Sequence, residues 1–403
     1  MQKENQKPSF EFMALMAALM SIVALSIDTL LPAIPNIGET INSFDPTENQ
    51  KLITMIFLGL GVGQLFFGPL SDCYGRKPVV YMGMLVFAIA SFICLWAPNL
   101  EWMIVGRILQ GIGLSVARSI AISIIRDTYS GDLMARVMSF VTAFFILVPV
   151  IAPSIGKIIL DVSNWQAIFY VQLVCTLMVG LWFWKRQPET LRPEYKIPFS
   201  RHVFIDGLKE FMRYKETVAF TMASGFITGS FLVYLSASQH IFEDLYGLKD
   251  SFPYIFAGLS ISIGVSTFSN GTLVLRYGMW KLSYMALLAF CGVAILFVVL
   301  FWQTGNPSVI ALIIFLSLQF FCLGFMWGNF RSIAMQPIGH IAGIGAAING
   351  FVSTVISIPI ATFIGSYVED EVLPLFMGLA ICGLISVVIF WMAKRSRRLA
   401  TAK

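Results

Sequence analysis

Long apolar runs dominate the hydrophobic pattern, each broken by a short cluster of charges or of glycine, proline and asparagine. A bilayer core about 30 Å thick is spanned by a helix of ~20 mostly apolar residues. Twelve stretches have that character. In the first half they lie near 10–34, 50–70, 79–97, 100–125, 134–159 and 166–184. In the second half they lie near 217–238, 251–273, 280–302, 307–330, 342–367 and 373–393. The pattern predicts an all-α integral membrane protein with twelve transmembrane helices in two six-helix, pseudo-symmetric halves. The halves are expected at 1–184 and 217–403, joined by a polar linker at 185–216 with an amphipathic piece around Val203 to Tyr214. The first run follows Lys3 and Lys7 as a signal sequence would. It is too long for one and no small-residue cleavage site follows it, so it is expected to remain as a span.

Composition agrees with that pattern. Only 12% of the residues are charged and 57% are hydrophobic, against about 25% charged in soluble domains. The net charge of +5 collects in a few loops instead of spreading as a nucleic-acid footprint, so no nucleic-acid partner is expected. With the N-terminus inside, 22 of the 27 Lys and Arg residues face the cytoplasm, all but Lys51, Arg107, Arg118, Lys157 and Lys249. Acidic Glu243, Asp244, Glu369, Asp370 and Glu371 then lie outside. The positive-inside rule therefore puts both termini in the cytoplasm, and the bacterial inner membrane is the expected location. The six cysteines form no CxxC or His/Cys ligand spacing, which favours free thiols over disulfides or metal sites. No Walker A sequence and no catalytic His/Cys/acid cluster is present, so neither an enzyme nor a cofactor is expected.

A faint repeat relates the halves. Leu70 to Gly75 follows the second span and Leu273 to Gly278 follows the eighth, at an offset of 278 − 75 = 203 residues. Pro153 and Pro359, in spans five and eleven, lie 206 apart. Both offsets fit parallel repeats about an axis along the membrane normal.

Candidate chemistry concentrates in the first half. Span four carries Arg107 and Arg118, and eleven residues at ~100° each make about three turns, so both project from nearly one face, roughly 16 Å apart. Gln110, Gly111 and Leu114 share that face. Charges inside a span normally face a bundle interior or a water-filled cavity, which makes span four the predicted wall of a polar pathway. Asp28 is the one acidic side chain well inside a predicted span, one turn before Pro32 and at a depth similar to Arg107. Burial opposes its ionisation and a nearby guanidinium favours it, so the pair could couple transport to a proton. The alternative is a static ion pair locking two helices. Arg118 has two readings, a contact to an anionic or acceptor-rich substrate or a link towards Asp72, Asp127 or Asp132. Pro149, Pro153 and Gly156 share one side of span five, where proline bends the helix and glycine admits a neighbour. The second half offers polar Tyr234, Asn329 and Asn349 among Met and Phe side chains, which serve either as packing or as a flexible cavity wall. His202, His240 and His340 are expected at the surface.

Between spans two and three runs Gly68-Pro-Leu-Ser-Asp-Cys-Tyr-Gly-Arg-Lys-Pro78. This loop resembles the signature of the major facilitator superfamily. Ile104 to Gly113, with Arg107 and Gly111, resembles its fourth-helix motif, and Pro149 to Gly156 resembles the fifth-helix motif of its antiporters. Ser26 to Pro35, Ala117-Arg118, Arg126-Asp127, Trp165 to Phe169 and Pro188 to Leu191 are similar to the Bcr/CflA branch of drug:proton antiporters. The resemblance implies a cytoplasmic gate built from Gly68, Asp72, Gly75, Arg76, Lys77, Arg126 and Asp127. The family usually has an arginine directly after the gate acid, and Cys73 stands there instead, so one charge of that network is missing. The resemblance further implies a proton site at Asp28 tuned by Arg107, a cavity including Gln110 and Arg118, and protons as the only coupling agent. The expected protein is a monomeric, proton-coupled exporter of small amphipathic organic compounds. The alternative is a dedicated exporter of an endogenous metabolite such as a carboxylate siderophore.

Overall fold

A computed structural model describes residues 8–129, 131–191, 193–196 and 201–401. Its long helices are α1 (Phe10–Asp28), α2 (Lys51–Tyr74), α3 (Arg76–Leu95), α4 (Leu100–Thr128), α5 (Gly131–Val162) and α6 (Trp165–Arg186). A shorter helix, α7 (Arg201–Arg213), lies in the linker. Then follow α8 (Lys215–Gln239), α9 (Phe252–Tyr277), α10 (Met279–Phe301), α11 (Val309–Met335), α12 (Ala342–Gly365) and α13 (Leu373–Thr401). No strand occurs among the described residues. Eleven helices among those residues, some with their short helical extensions, are long and apolar enough to cross a membrane. The twelfth long helix is α5, of 32 residues. Hydrocarbon offers backbone amides no partner, so an open chain must satisfy them internally, as a helix does.

Local sequence sets the helix ends. Asn99, Asn164 and Ser308 accept hydrogen bonds from the backbone N–H of Trp102 (3.1 Å), Ala167 (3.1 Å) and Ala311 (3.3 Å), capping α4, α6 and α11. Gly75 (φ 113°) turns α2 into α3, and Gly278 (φ 77°) turns α9 into α10. A side chain disfavours that backbone region, which explains why the repeated loop carries glycine in both halves.

Two compact units emerge: Met1–Ser43 with Met55–Ser200, and Phe44–Thr54 with Arg201–Lys403. In the first unit α4 packs on α1 and α3 and crosses α2 at very short range. A Cβ on Gly111 would lie 2.0 Å from the Ile56 carbonyl oxygen, and one on Gly59 2.0 Å from that of Ile108. The second unit is organised on α8, which packs on α11, α12 and α13. Phe220 of α8 meets Trp280, Phe330 and Phe390 edge to face, at 4.9, 5.4 and 5.3 Å between ring centroids.

His240 departs from its expected surface position. It begins a π-helical turn, His240–Leu245, and is only 9% exposed. Its Nδ1 lies 2.8 Å from Asp244 Oδ2 and its Nε2 lies 2.8 Å from the Glu369 carbonyl oxygen. Helical i,i+4 spacing supplies the first partner; only the fold brings the second. The side chains of Asp132, Arg136, His202 and His340 lie outside the described set. All six cysteines are free thiols.

The α2–α4 crossing gives a direct test. Gly111→Ala should destabilise the protein by about 1–3 kcal/mol, because the new methyl meets backbone that cannot yield. Gly68→Ala, inside α2 with no heavy atom within 4 Å of the new Cβ, should instead leave thermal stability in detergent undiminished or raise it by up to about 1 kcal/mol.

Candidate functional site

Asp28 is the last residue of α1, and the helix breaks immediately after it. Thr29 Oγ1 bonds back to the Leu25 carbonyl oxygen (2.6 Å), and Pro32 cannot donate to continue the helix. The chain continues as a tight turn at Leu31–Ala33 and a short helix at Ile34–Thr40. Two neighbouring helices hold this break. Gln172 of α6 donates to Thr29 Oγ1 (2.9 Å) and, at 3.4 Å, to the Ser26 carbonyl oxygen. From the other side α5 presses in at Gly156, where a Cβ would lie 2.1 Å from the Thr29 carbonyl oxygen. The expectation that glycine lets α5 approach a partner thus acquires an address, the peptide just beyond Asp28. Pro149 and Pro153 sit within the same helix.

The Asp28 side chain is buried, at 5% exposure, and makes no ion pair or hydrogen bond with any described residue. Arg107, fully buried, donates from Nη1 to Gln110 Oε1 (2.8 Å) and to the Ser26 carbonyl oxygen (3.3 Å). Gln110 Nε2 donates in turn to Ser91 Oγ (2.8 Å), which donates to the Phe87 carbonyl oxygen (2.8 Å). The structure therefore brings Arg107 to the backbone two residues before Asp28 and forms no salt bridge between the two side chains. Gln110, expected in a cavity, is wholly buried and spans α4 to α3. Ser26 Oγ and Gln172 Oε1, also buried, have no hydrogen-bond partner among the described residues.

At the other end of these helices the predicted gate residues form one cluster. Arg76 binds Asp72 and Ser71 Oγ through Nη1, and Asp127 Oδ2 through Nε (2.9 Å). Asp127 also accepts from Thr190 Oγ1 (3.3 Å), and Arg126 stands 4.0 Å from its other oxygen. Lys77 Nζ donates to the Trp184 carbonyl oxygen (2.9 Å). Glu189, which sequence reasoning did not place in this cluster, is its organising anion. It accepts from the backbone N–H groups of Arg76 (3.0 Å), Lys77, Thr190 and Leu191 (each 2.9 Å). A carboxylate at the start of α3 meets otherwise orphaned amides and the favourable end of the helix dipole. A Cβ on Gly75 would lie 2.6 Å from Glu189 Oε2, so glycine there serves this approach as well as the turn. Burial pushes the Glu189 carboxyl up, but the four backbone bonds outweigh it and hold the group below the usual carboxylate range.

Each remaining predicted position has its own contacts within its unit. Arg118 lies over the Phe145 ring, 5.3 Å from its centroid. Tyr234 is buried against Phe320 (4.7 Å) and Phe256 (6.3 Å). Asn329 and Asn270 exchange two amide hydrogen bonds, 2.8 and 3.2 Å, tying α11 to α9. Asn349 donates to Thr221 Oγ1 (2.6 Å), tying α12 to α8. Each of these amides thus joins two helices of the second unit. Arg331, counted with a loop in the sequence pattern, belongs to α11 and is exposed. Among the described residues no cluster of His, Cys, Asp and Glu could hold a metal ion.

Helices of membrane-crossing length, with buried charges inside them and charge clusters at their ends, mark the described residues as those of a multi-pass membrane protein. The chain belongs to the Major Facilitator Superfamily, whose sequence profile matches residues 16–362. A bicyclomycin resistance protein homolog of Haemophilus influenzae is 25% identical over 390 residues, covering 96% of this chain and 97% of its own. The multidrug resistance protein MdtL of Salmonella paratyphi B is 33% identical over 164 residues, 41% of either chain. Among solved structures, a D-xylose-proton symporter superposes with a TM-score of 0.73 at 14% identity, over 95% of this chain and 98% of its own. The human organic anion transporter MFSD10 does so with a TM-score of 0.70 at 14% identity, over 96% and 100%. These two share the fold.

Two substitutions probe the site. A carboxylate whose value is lowered by folding adds stability above its unfolded pKa and loses it as pH falls through the folded value. Glu189→Gln should therefore lower the unfolding free energy at neutral pH, by on the order of 1 kcal/mol for so exposed a group, and with it the unfolding temperature. Unfolding scans of both proteins should converge in acid. Gly156→Ala should displace α5 from the break after Asp28. Transport assayed in proteoliposomes should fall well below wild type, with the protein still inserted.

Proposed function

We propose that this transporter is a proton-coupled exporter of small amphipathic organic compounds, drug-like molecules among them, in a bacterial inner membrane with both termini cytoplasmic. The observation that carries the reading is Asp28, buried and without an ion-pair partner among the described residues. A carboxyl group locked to a guanidinium keeps one charge state, whereas a buried one with no such lock can take up and release a proton as its access to water changes. Arg107 supports this by placing its Nη1 on Gln110 and the Ser26 carbonyl and forming no salt bridge with the carboxyl group. The export direction and the cargo class rest on relatives named for bicyclomycin and multidrug resistance.

In this mechanism the two halves alternate access to a central site, and Asp28 exchanges a proton for substrate. Each proton that enters supplies ~2.3 kcal/mol per 100 mV of membrane potential, besides the pH gradient. The Arg76–Asp72–Asp127 cluster acts as the cytoplasmic gate, with Asp72 changing partner between states. Arg118 and the Met- and Phe-rich face of the second half contact the cargo.

Reconstituted Asp28→Asn tests the proposal. Gradient-driven export should be abolished at every pH, while substrate exchange without a gradient and ligand binding persist. Undiminished proton-driven export by Asp28→Asn sinks it.

A further inference from the structure

The linker helix α7 has three faces, and the proposed transport mechanism uses none of them. At ~100° per residue, Gly207 and Phe211 lie on one side, and Ile205, Leu208 and Met212 fall within roughly 60° of one another on the next. Asp206, Lys209, Glu210 and Arg213 take the remainder. The first side is docked on protein. A Cβ on Gly207 would lie 2.5 Å from Ile344 Cγ2, and Phe211 is 2% exposed. The second side is apolar yet open: Ile205 is 51%, Leu208 47% and Met212 60% exposed. The charged side pairs within itself, Lys209 with Asp206 at 3.8 Å and Arg213 with Glu210 at 2.9 Å.

Two contacts set the level of this helix. Tyr214 alone separates α7 from Lys215, the first residue of a membrane-length helix, and Ile344 lies in the first turn of another, α12. The helix therefore lies across the ends of two spans, where hydrocarbon gives way to headgroups. A helix that is apolar on one side and charged on the other, held at that level, lies in the interface plane with its apolar side in the acyl boundary.

We propose that Ile205, Leu208 and Met212 form a lipid-contact surface, seating α7 in the cytoplasmic-side headgroup layer as a surface anchor at the start of the second unit. The cytoplasmic side rests on the orientation proposed above; the lipid contact does not. Two basic and two acidic side chains balance on the polar side, so the apolar side holds the anchor at the acyl–glycerol boundary.

Single cysteines at 205, 208 and 212, and at 206, 209 and 213, in a cysteine-free background that still transports, would carry a fluorophore in lipid nanodiscs. Quenchers on lipid chains should reduce emission several-fold more at the first three positions, and aqueous iodide more at the last three, alike in neutral and anionic lipid. Iodide access at all six positions overturns the proposal. So does shielding of 205, 208 and 212 from both quenchers, which would mean that protein covers them. Hydroxyl-radical footprinting of the unaltered chain in nanodiscs needs no substitution. Met212 should be protected, and oxidation of Met212 at the rate of a free peptide overturns the anchor independently of any variant.

Discussion

Hydrocarbon has no hydrogen-bonding groups to offer, so a guanidinium inside a membrane helix must find acceptors within the protein. Arg107 states that constraint in its most demanding form, with no exposed surface at all. Much of the first unit follows from meeting it. Gln110 accepts from Arg107 and donates to Ser91, and the Ser26 carbonyl ties α4 to α1. From Ser91 the chain of bonds runs on to a backbone carbonyl at Phe87. The glycine crossing of α2 and α4 keeps that wall close-packed where a polar group would otherwise leave a gap.

Charges at the helix ends obey a different balance. In the cluster at the start of α3 the Arg76 side chain is buried while Glu189 is exposed to water, and there several bonds to one anion add up where a single one would be weak. Glu189 collects four backbone donors from α3 and from its own turn, so it joins the end of α6 to the start of α3. In the second unit the His240 turn does similar work, tying the end of α8 to the turn at Glu369. Each unit is thereby braced at its ends by polar contacts, beyond the buried hydrogen bonds and packing within its helices. Within the first unit, Asp28 is the buried acid that this bracing leaves unengaged among the described residues.

Family membership and cargo differ in what can be read. The profile match and a relative covering nearly the whole chain establish the superfamily. Family membership does not fix a cargo, since surfaces rich in Met and Phe can in general re-pack around many shapes. Fold neighbours that handle a sugar and organic anions at 14% identity illustrate the same separation of fold from function.

The amino-acid order alone determined the twelve helical stretches, the glycine turns at 75 and 278, the amphipathic linker helix and the identity of the charged residues within the spans. These follow from hydropathy, charge and backbone preference, which act over a few neighbouring residues. Partners were another matter. That Arg107 bonds Gln110 and a backbone carbonyl and leaves Asp28 alone, that Gly156 seats on the Thr29 peptide, and that Glu189 caps a helix more than a hundred residues away were all decided by tertiary structure. A hydrogen bond needs a few ångströms of proximity and a fixed angle, and residues distant along the chain acquire those only when the helices pack.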